Sequence, residues 1–413
     1  MATFIFSTDG THGDVFQIIG LARALRERGH RVSLHTHAYY RDVAERAGLE
    51  FGPTDTEEQY RHQLTVHKTL LINALRSVTS VADFYREARM FDQMRRQYEA
   101  VAEVVRRQGS EGVVVVARHS TGLAALMARD SFGVPAVWLA VFPGQVGTLH
   151  LTERVFAQTI TDPINELRSS LGLPPVTDWA AWLASADLTL GLWPDWFDTA
   201  GNPTPDSVPK TGFILNDEAE GGDLPPDVAA LVAPDVPDPE RPVLISGGSS
   251  MSLHQELYAA AIEGCRQAGR IGIVVGRHRE LLPDRLPDGF VWHPALPFAT
   301  LMPRVAAVIH HGGILTCARG LAAATPQVIL GYGTDRPDNG RRVRALGAGE
   351  WLPPARWTAV EVGAALSAVL TDPRYAASAA RLAPRVDTAA ALRAACDRLE
   401  ALTERATTGA HPS

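Results

Sequence analysis

Short apolar runs without polar alternation limit how this chain can fold. Val113–Val116 consists of four valines, and Thr3–Ser7 and Ala136–Ala140 are also rich in apolar residues. A strand that is apolar on both faces must be covered on both, which is typical of parallel sheets flanked by helices. Residues 15–28 follow the first strand with apolar side chains at helical spacing. Arg31–Thr36 then reads as the next strand, so we expect repeated strand–helix–strand units of an α/β fold.

The same alternation appears a second time after residue 243, with a further helix expected at 316–324 between two strands. The 413 residues exceed what one ordinary core holds, and residues 198–242 are rich in Pro and Gly, as in interdomain connections. We therefore predict two Rossmann-like domains with doubly wound parallel sheets. The predicted boundaries are a first domain at 1–217, a linker at 218–240, a second domain at 241–375 and a C-terminal helix at 376–405.

Two long excursions interrupt this pattern, a mostly helical one at 54–110 and an irregular one at 142–180. Excursions from a doubly wound sheet often form binding surfaces, but simple helical packing explains them equally well.

Composition excludes several classes of function. The net charge is −7 without any basic block, so nothing indicates a nucleic-acid surface. The three cysteines, Cys265, Cys317 and Cys396, are few and far apart, which argues against a disulfide framework or a zinc site and fits a reducing compartment. We find no signal-peptide pattern and no apolar run of the ~20 residues that a spanning helix needs. We expect a cytoplasmic protein without a membrane span; the sequence does not indicate its oligomeric state.

The strongest chemical motif is Ala307–Gly320, in which an apolar strand ends in His310-His311-Gly312-Gly313 and a helix follows. Glycines at that junction let backbone N–H groups approach an anion, and the helix N-terminus adds partial positive charge. The Thr316 hydroxyl and the His311 ring could donate further hydrogen bonds to a phosphate. A plain strand-to-helix turn capped by Thr316 is an equally good reading of these residues alone.

Three other turns follow strands. Gly331–Arg342 contains Asp335, which could accept hydrogen bonds from sugar hydroxyls, although a turn of Gly, Pro, Asp and Asn is the commoner explanation. Ser246–Met251 is built mostly of small residues that would permit the close approach of a ligand, or it is simply a tight turn from strand to helix. Ser7–Asp14 carries His12 and Asp14 at the end of the first strand, where a histidine suits general-base catalysis or is simply part of the turn.

At this point the residues match a known family. The segment from Val308 to Leu352 resembles the donor-binding segment of the GT-B nucleotide-sugar glycosyltransferases, and most of all the bacterial antibiotic and macrolide glycosyltransferases, relatives of the UDP-glucuronosyltransferases. The matching residues are His310, His311, Gly312, Gly313, Thr316, Thr325-Pro326-Gln327, Asp335, Pro337, Asn339 and Arg342. Segments 10–32, 164–176 and 295–313 also resemble the family, in the right order.

The resemblance implies two domains that face a cleft, and a sugar transferred with inversion from a dTDP- or UDP-sugar to a small, lipophilic natural-product acceptor. It implies that His12 deprotonates the acceptor, with Asp14 as a joint candidate for the base. The second domain would hold the diphosphate, the sugar and the base without a metal or other cofactor. The implied donor-site residues are Ser249, Leu296, Phe298, His311, Gly312, Gly313, Thr316, Asp335 and Arg336.

Three departures from the family pattern bear on the site. Ile314-Leu315 replaces small residues beside the predicted phosphates, and Arg336 replaces a Gln, which would suit an anionic sugar, a pairing with Asp335 or a phosphate. Arg118-His119 stands where many relatives have an Asp that orients the base. Residues that could line an acceptor pocket, or could equally be core, are Trp138, Phe142 and His119.

Other functions remain open at this stage. A degenerate relative could serve as a non-catalytic nucleotide-binding partner of another enzyme, and a GT-B nucleotide-sugar epimerase would share the donor motif. A dinucleotide dehydrogenase fits least, because G-x-G-x-x-G is absent after the first strand and no acid ends Arg31–Thr36. The sugar, the donor base, the acceptor and the atom that is glycosylated cannot be read from the sequence.

Overall fold

The chain forms two compact units. The structure, a computed structural model, describes residues 1–73, 79–216, 222–248 and 255–408. The first unit comprises Met1–Pro194, Thr204–Ile214 and the C-terminal segment from Thr388. The second comprises Asp195–Pro203 and Leu215–Asp387. The C-terminal helix therefore belongs to the first unit, where it packs on the first helix of the chain.

Each unit is built on a six-stranded parallel sheet. The first sheet has the order β3-β2-β1-β4-β5-β6 and the second the order β12-β11-β10-β7-β8-β9. Both orders are the doubly wound arrangement 3-2-1-4-5-6 of Rossmann-like folds. The strands are β1 Thr3–Ser7, β2 Arg31–Thr36, β3 Glu50–Pro53, β4 Val113–Arg118, β5 Ala136–Ala140, β6 Leu188–Gly191, β7 Val243–Ser246, β8 Gly272–Val275, β9 Phe290–His293, β10 Ala307–His310, β11 Gln327–Leu330 and β12 Gly349–Leu352.

Helices connect and cover the strands. They are α1 His12–Glu27, α2 Arg41–Arg46, α3 Glu57–Asn73, α4 Thr79–Glu87, α5 Met90–Gln108, α6 Leu123–Phe132, α7 Pro143–Gly147, α8 Leu149–Thr159, α9 Thr161–Ser170, α10 Trp179–Leu183, α11 Asp195–Asp198, α12 Pro226–Leu231, α13 Gln255–Gln267, α14 Phe298–Leu301, α15 Ile314–Ala322, α16 Arg336–Ala345, α17 Ala359–Thr371, α18 Pro373–Leu382 and α19 Thr388–Thr408.

The structure differs from the expected organisation in three places. The excursion at 142–180 is not irregular but contains α7–α10, and the apolar faces of α8, α9 and α10 join the core of the first unit. Residues 222–240 are part of the second unit rather than a free linker, because Val228 of α12 is buried beneath β7 and β8. The single helix expected at 376–405 is two, α18 and α19, separated at Ala383–Arg385 by a short 3₁₀ turn.

Candidate functional site

In each sheet the strand order reverses between two adjacent strands, which is called the topological switch point. Ligands of such sheets bind beside the carboxyl ends of these two strands. In the first sheet the two strands are β1 and β4, with Ser7 opposite Ala117. In the second they are β7 and β10, with Ser246 opposite His310. The predicted base follows β1 and the predicted phosphate turn follows β10, so both predictions fall at the switch points.

His12 begins helix α1 and lies in an aromatic setting. Its ring is half-buried and stacks on Phe16, with ring centroids 4.5 Å apart, and on Tyr39 at 6.1 Å. The edge of Tyr40 approaches it at 5.9 Å. The helix starts at residue 12 rather than 15 because Thr11 and Asp14 cap it: the Thr11 N–H donates to Asp14 Oδ2 at 2.9 Å. An apolar acceptor would find ring surfaces beside this imidazole.

Asp14 is occupied on both carboxylate oxygens. Oδ2 caps the helix through Thr11, and Oδ1 lies 2.9 Å from an Nη of Arg118. Arg118 also approaches Asp9, at 3.5 Å. Because both oxygens are already engaged within the turn, Asp14 is less available to an acceptor proton than His12. Arg118, which replaces the expected Asp, holds this turn by ion pairing.

The predicted acceptor residues do not share one environment. Trp138 is 2% exposed, lies in the core of the first unit and donates its indole N–H to the Leu183 carbonyl at 3.1 Å. The sequence allowed Trp138 to be either a pocket residue or a core residue, and the structure shows it in the core. His119 is also buried, and burial lowers its pKa to about 4. Phe142 is half-buried at the start of α7 and remains available to a ligand.

His310 shapes the turn after β10. It is fully buried, and its Nε2 lies 2.9 Å from Gln327 Oε1, while the Gly312 N–H donates to its Nδ1 at 3.2 Å. Because a peptide N–H can only donate, Nδ1 accepts and the proton lies on Nε2. Gln327 in turn donates to the Cys317 carbonyl inside α15. One buried histidine thus ties the glycine turn to the helix that follows.

Helix α15 begins two residues earlier than expected, with Gly313 as its N-cap and without a side-chain cap. Thr316 therefore does not cap the helix but stands half-buried in its first turn. The side chains of Ile314 and Leu315 are buried, at 4% and 6% exposed. The first N–H groups of a helix have no carbonyl four residues earlier to bind, so this end retains donors for an anion.

The His311 ring is packed between two glycines. A Cβ on Gly313 would lie 2.5 Å from Nε2, and one on Gly248 would lie 2.5 Å from Cε1. Nδ1 has no hydrogen-bond partner among the described residues, so the bond to the Ser246 backbone comes from Nε2. Burial is the main cause that holds the His311 pKa well below 6.5, and the positive charge of Arg336 lowers it further. The free protein therefore carries a neutral ring whose Nδ1 is unused within the part of the chain that the structure describes.

The start of α16 lies against the glycine turn. Asn339 donates from Nδ2 to the Gly312 carbonyl and to Asp335 Oδ2, both at 3.0 Å. A Cβ on Gly312 would meet the Arg336 carbonyl at 2.9 Å, so only glycine fits there without a shift. Asp335 and Arg336 therefore stand beside the predicted phosphate site, and the effect of Arg336 on the His311 pKa places positive charge near it.

The other predicted donor residues are less well defined. Ser249 lies outside the described residues. Leu296 and Phe298 are half-buried and pack on the core under β7 and β8.

Arg342 matched the family motif but had no predicted role. It is 2% exposed and donates to the carbonyls of Phe197 and Asn202 at 3.0 and 2.8 Å. It holds segment 195–203 on the second unit.

The described ranges contain neither a membrane-spanning helix nor a cluster of metal ligands. None of the helices in 1–73, 79–216, 222–248 and 255–408 is long and apolar enough to cross a membrane. Within the same ranges no three His, Cys, Asp or Glu side chains are grouped so as to hold a metal ion.

Two known protein families match separate segments of the chain. Residues 4–122 match the glycosyltransferase family 28 N-terminal domain. Residues 270–401 match the family described as erythromycin biosynthesis protein CIII-like, C-terminal domain. Both candidate turns, after β1 and after β10, lie inside these matches.

Individual proteins resemble the whole chain. O-mycaminosyltylonolide 6-deoxyallosyltransferase of Streptomyces fradiae is 28% identical, and the alignment covers 98% of each chain. The solved structure of the calicheamicin glycosyltransferase CalG4 is 20% identical, with a TM-score of 0.70 over 98% of this chain and 99% of that one. The glycosyltransferase VinC, solved in complex with dTDP, is 18% identical, with a TM-score of 0.69 over 98% of this chain and 100% of that one. The structural likeness establishes the GT-B fold.

Proposed function

Because this chain belongs to the GT-B glycosyltransferases and resembles the bacterial antibiotic and macrolide members, we propose that it transfers a hexose from a dTDP- or UDP-sugar. The acceptor is a small, lipophilic natural product, and the anomeric configuration inverts. We place the reaction in the cytoplasm, since the three cysteines are free and buried, which fits a reducing compartment.

The turn between β10 and α15 carries this proposal. It combines a helix N-terminus without a side-chain cap, glycines at positions 312 and 313, and the buried His311, whose Nδ1 has no partner in the described ranges. These are the groups that bind a diphosphate: N–H donors, positive potential and a histidine. Asp335 and Arg336 at the start of α16 would meet the sugar or the phosphate next to it, and Thr316 would donate its hydroxyl.

The first unit would activate the acceptor. His12 removes the proton of the acceptor nucleophile while the nucleophile attacks the anomeric carbon and the bond to the diphosphate oxygen breaks. One displacement from the face opposite the leaving group inverts the configuration. The rings of Phe16 and Tyr39 beside His12 suit a lipophilic acceptor, and the imidazole supplies general-base help worth about 10²–10⁴-fold.

No metal ion or other cofactor is part of the proposal. The leaving diphosphate gains its charge stabilisation from the N–H groups of α15, from His311 and from Arg336. Transfer measured in excess chelator should equal transfer in magnesium; a loss of activity in chelator would contradict this part of the proposal.

The test combines binding and transfer. Calorimetric titration should show that the protein binds dTDP or UDP, and His12→Ala should keep that affinity while transfer to an acceptor panel falls by about 10²–10⁴-fold. The product anomer, read by NMR, should be opposite to that of the donor. Nucleotide binding without any transfer would favour the auxiliary-partner alternative, and a modified nucleotide sugar without an acceptor would favour the epimerase. No binding of either nucleotide would refute all three.

A further inference from the structure

A buried acid–base pair lies behind the turn that presents His12. The side chains of His37 and Asp55 are 0% and 1% exposed, and Nδ1 of the histidine is 2.6 Å from Oδ2 of the acid. The other carboxylate oxygen accepts the Ala38 N–H at 2.9 Å. Burying such polar groups is unfavourable unless every one is satisfied, so the remaining nitrogen of His37 also needs a partner.

That nitrogen holds the backbone of the first turn. The Gly10 N–H donates to His37 Nε2 at 3.0 Å. A peptide N–H can only donate, so Nε2 carries the lone pair and the ring proton lies on Nδ1, facing Asp55. The carboxylate therefore fixes the tautomer that the Gly10 bond requires.

The other side of Gly10 is held as well. Its carbonyl accepts from Tyr60 at 3.1 Å and from Tyr40 at 3.3 Å, and the two hydroxyls are 3.0 Å apart. Gly10 has a φ of +113°, and a Cβ there would lie 2.4 Å from Asp14 Oδ2. Both peptide groups that flank this glycine are thus fixed by side chains, in a conformation that other residues rarely adopt.

The same groups reach His12. Gly10 is two residues before it, and the Tyr40 ring that bonds the Gly10 carbonyl also lies edge-on to the His12 ring. The His37 ring stacks on Tyr60 at 4.4 Å. We infer that His37, Asp55 and Tyr60 are positioning residues that set the geometry of His12 for proton removal from the acceptor. This inference rests on the proposed role of His12.

Asp55→Asn is the sharpest variant because it keeps the shape of the side chain. Asp55 accepts from two donors, one on each oxygen, whereas an asparagine has a single carbonyl oxygen. The variant must lose the Ala38 bond or turn an NH₂ group toward His37. In the second case His37 moves its proton to Nε2, where it opposes the Gly10 N–H. Tyr60→Phe is the second variant; it keeps the ring stack and removes only the hydroxyl.

Asp130→Asn serves as the matched control. Asp130 pairs with the buried Arg168 at 2.7 Å in the same unit but has no bond to the first turn. Its variant reproduces the loss of a partly buried ion pair without touching Gly10. Melting temperatures of the three variants identify any that do not fold, and dTDP affinity checks the second unit, which holds all the predicted donor residues.

The expected result separates kcat from stability. Asp55→Asn should lower kcat by about 10²-fold, the size of effect expected from a displacement of ~1 Å, with dTDP affinity unchanged. Tyr60→Phe should lower kcat in the same direction, and Asp130→Asn should keep it. Nitrogen-15 spectra should show the Nδ1–H tautomer of His37 in the wild type.

Two outcomes would overturn the inference. One is wild-type kcat in Asp55→Asn and Tyr60→Phe, and the other is an equal loss of kcat in Asp130→Asn. A His12→Ala variant that transfers normally would instead refute the proposed base, so the two failures are distinguishable.

Discussion

Replacing Gly313 by alanine should weaken nucleotide binding by displacing the His311 ring. Gly313 has a φ of −61° and a ψ of 141°, which alanine adopts without strain. The added Cβ, however, would lie 2.5 Å from Nε2 of His311, whereas ordinary contact begins at 3.4 Å. The ring must therefore move by roughly 1 Å, away from the position in which Nδ1 serves the predicted phosphate.

The expected loss follows from one hydrogen bond. A bond to a charged group contributes about 1.5–3 kcal/mol, so the dissociation constant for dTDP or UDP should rise about 10- to 100-fold. The free energy of unfolding should fall by about 1–3 kcal/mol, because the added methyl group forces a buried ring out of its packed position. Calorimetric titration measures the first quantity and urea denaturation the second.

A double-mutant cycle identifies the cause. In a His311→Ala background the added methyl group has no ring to displace, so Gly313→Ala should then be almost neutral. Gly147→Ala is the matched control, since a Cβ there meets no atom within 4 Å. Wild-type affinity in Gly313→Ala, or an equal loss with and without His311, would refute the reasoning.

Three further predictions concern charge and stability. His311 is neutral in the free protein, so its Nδ1 must take up a proton before it can donate to a phosphate. The dTDP affinity should therefore fall as pH rises, by at most about tenfold per pH unit. Calorimetric titration in two buffers should show this proton uptake on binding, and His311→Ala should abolish it. Arg342→Lys should lower the free energy of unfolding by about 3 kcal/mol, since a lysine cannot bond the carbonyls of Phe197 and Asn202 together; an unchanged urea midpoint would contradict this. Burial lowers the pKa of His310 to about 4 from 6.5, so its stabilising contribution is complete above pH 6.5 and is lost as pH falls toward 4. His310→Gln should flatten this decline in the free energy of unfolding by up to about 1.4 kcal/mol per pH unit. Urea denaturation that shows the same decline in the variant and the wild type would argue against this.

The sequence predicted the central strands well and, at the sheet edges, β9, but it missed the other three edge strands. β5 and β7 have the expected bounds, because continuous apolar residues mark strands buried on both faces. Glu50–Pro53, Leu188–Gly191 and Gly349–Leu352 were missed, since four-residue edge strands with mixed side chains carry little pattern. The start of α1 was predicted three residues too late, because the capping-box spacing of Thr11 and Asp14 was not used.

The candidate site also combines contacts that are local in the sequence with contacts that are distant in it. Residues close in sequence, such as His311, Gly313 and Thr316, could be predicted because one turn holds them together. The bonds from Gly10 to His37 and Tyr60 span 27 and 50 residues and depend on the pairing of β1, β2 and β3. Likewise, Arg342 meets Phe197 across 145 residues. No local pattern encodes contacts of that range, so only the fold reveals them.

The most direct test of the account is a crystal structure of the protein with dTDP or UDP. We expect the diphosphate at the N-terminus of α15, with a phosphate oxygen within hydrogen-bond distance of His311 Nδ1 and of the first N–H groups of that helix. A nucleotide bound elsewhere on the second unit, with the turn at Gly312 and Gly313 left empty, would contradict the central claim.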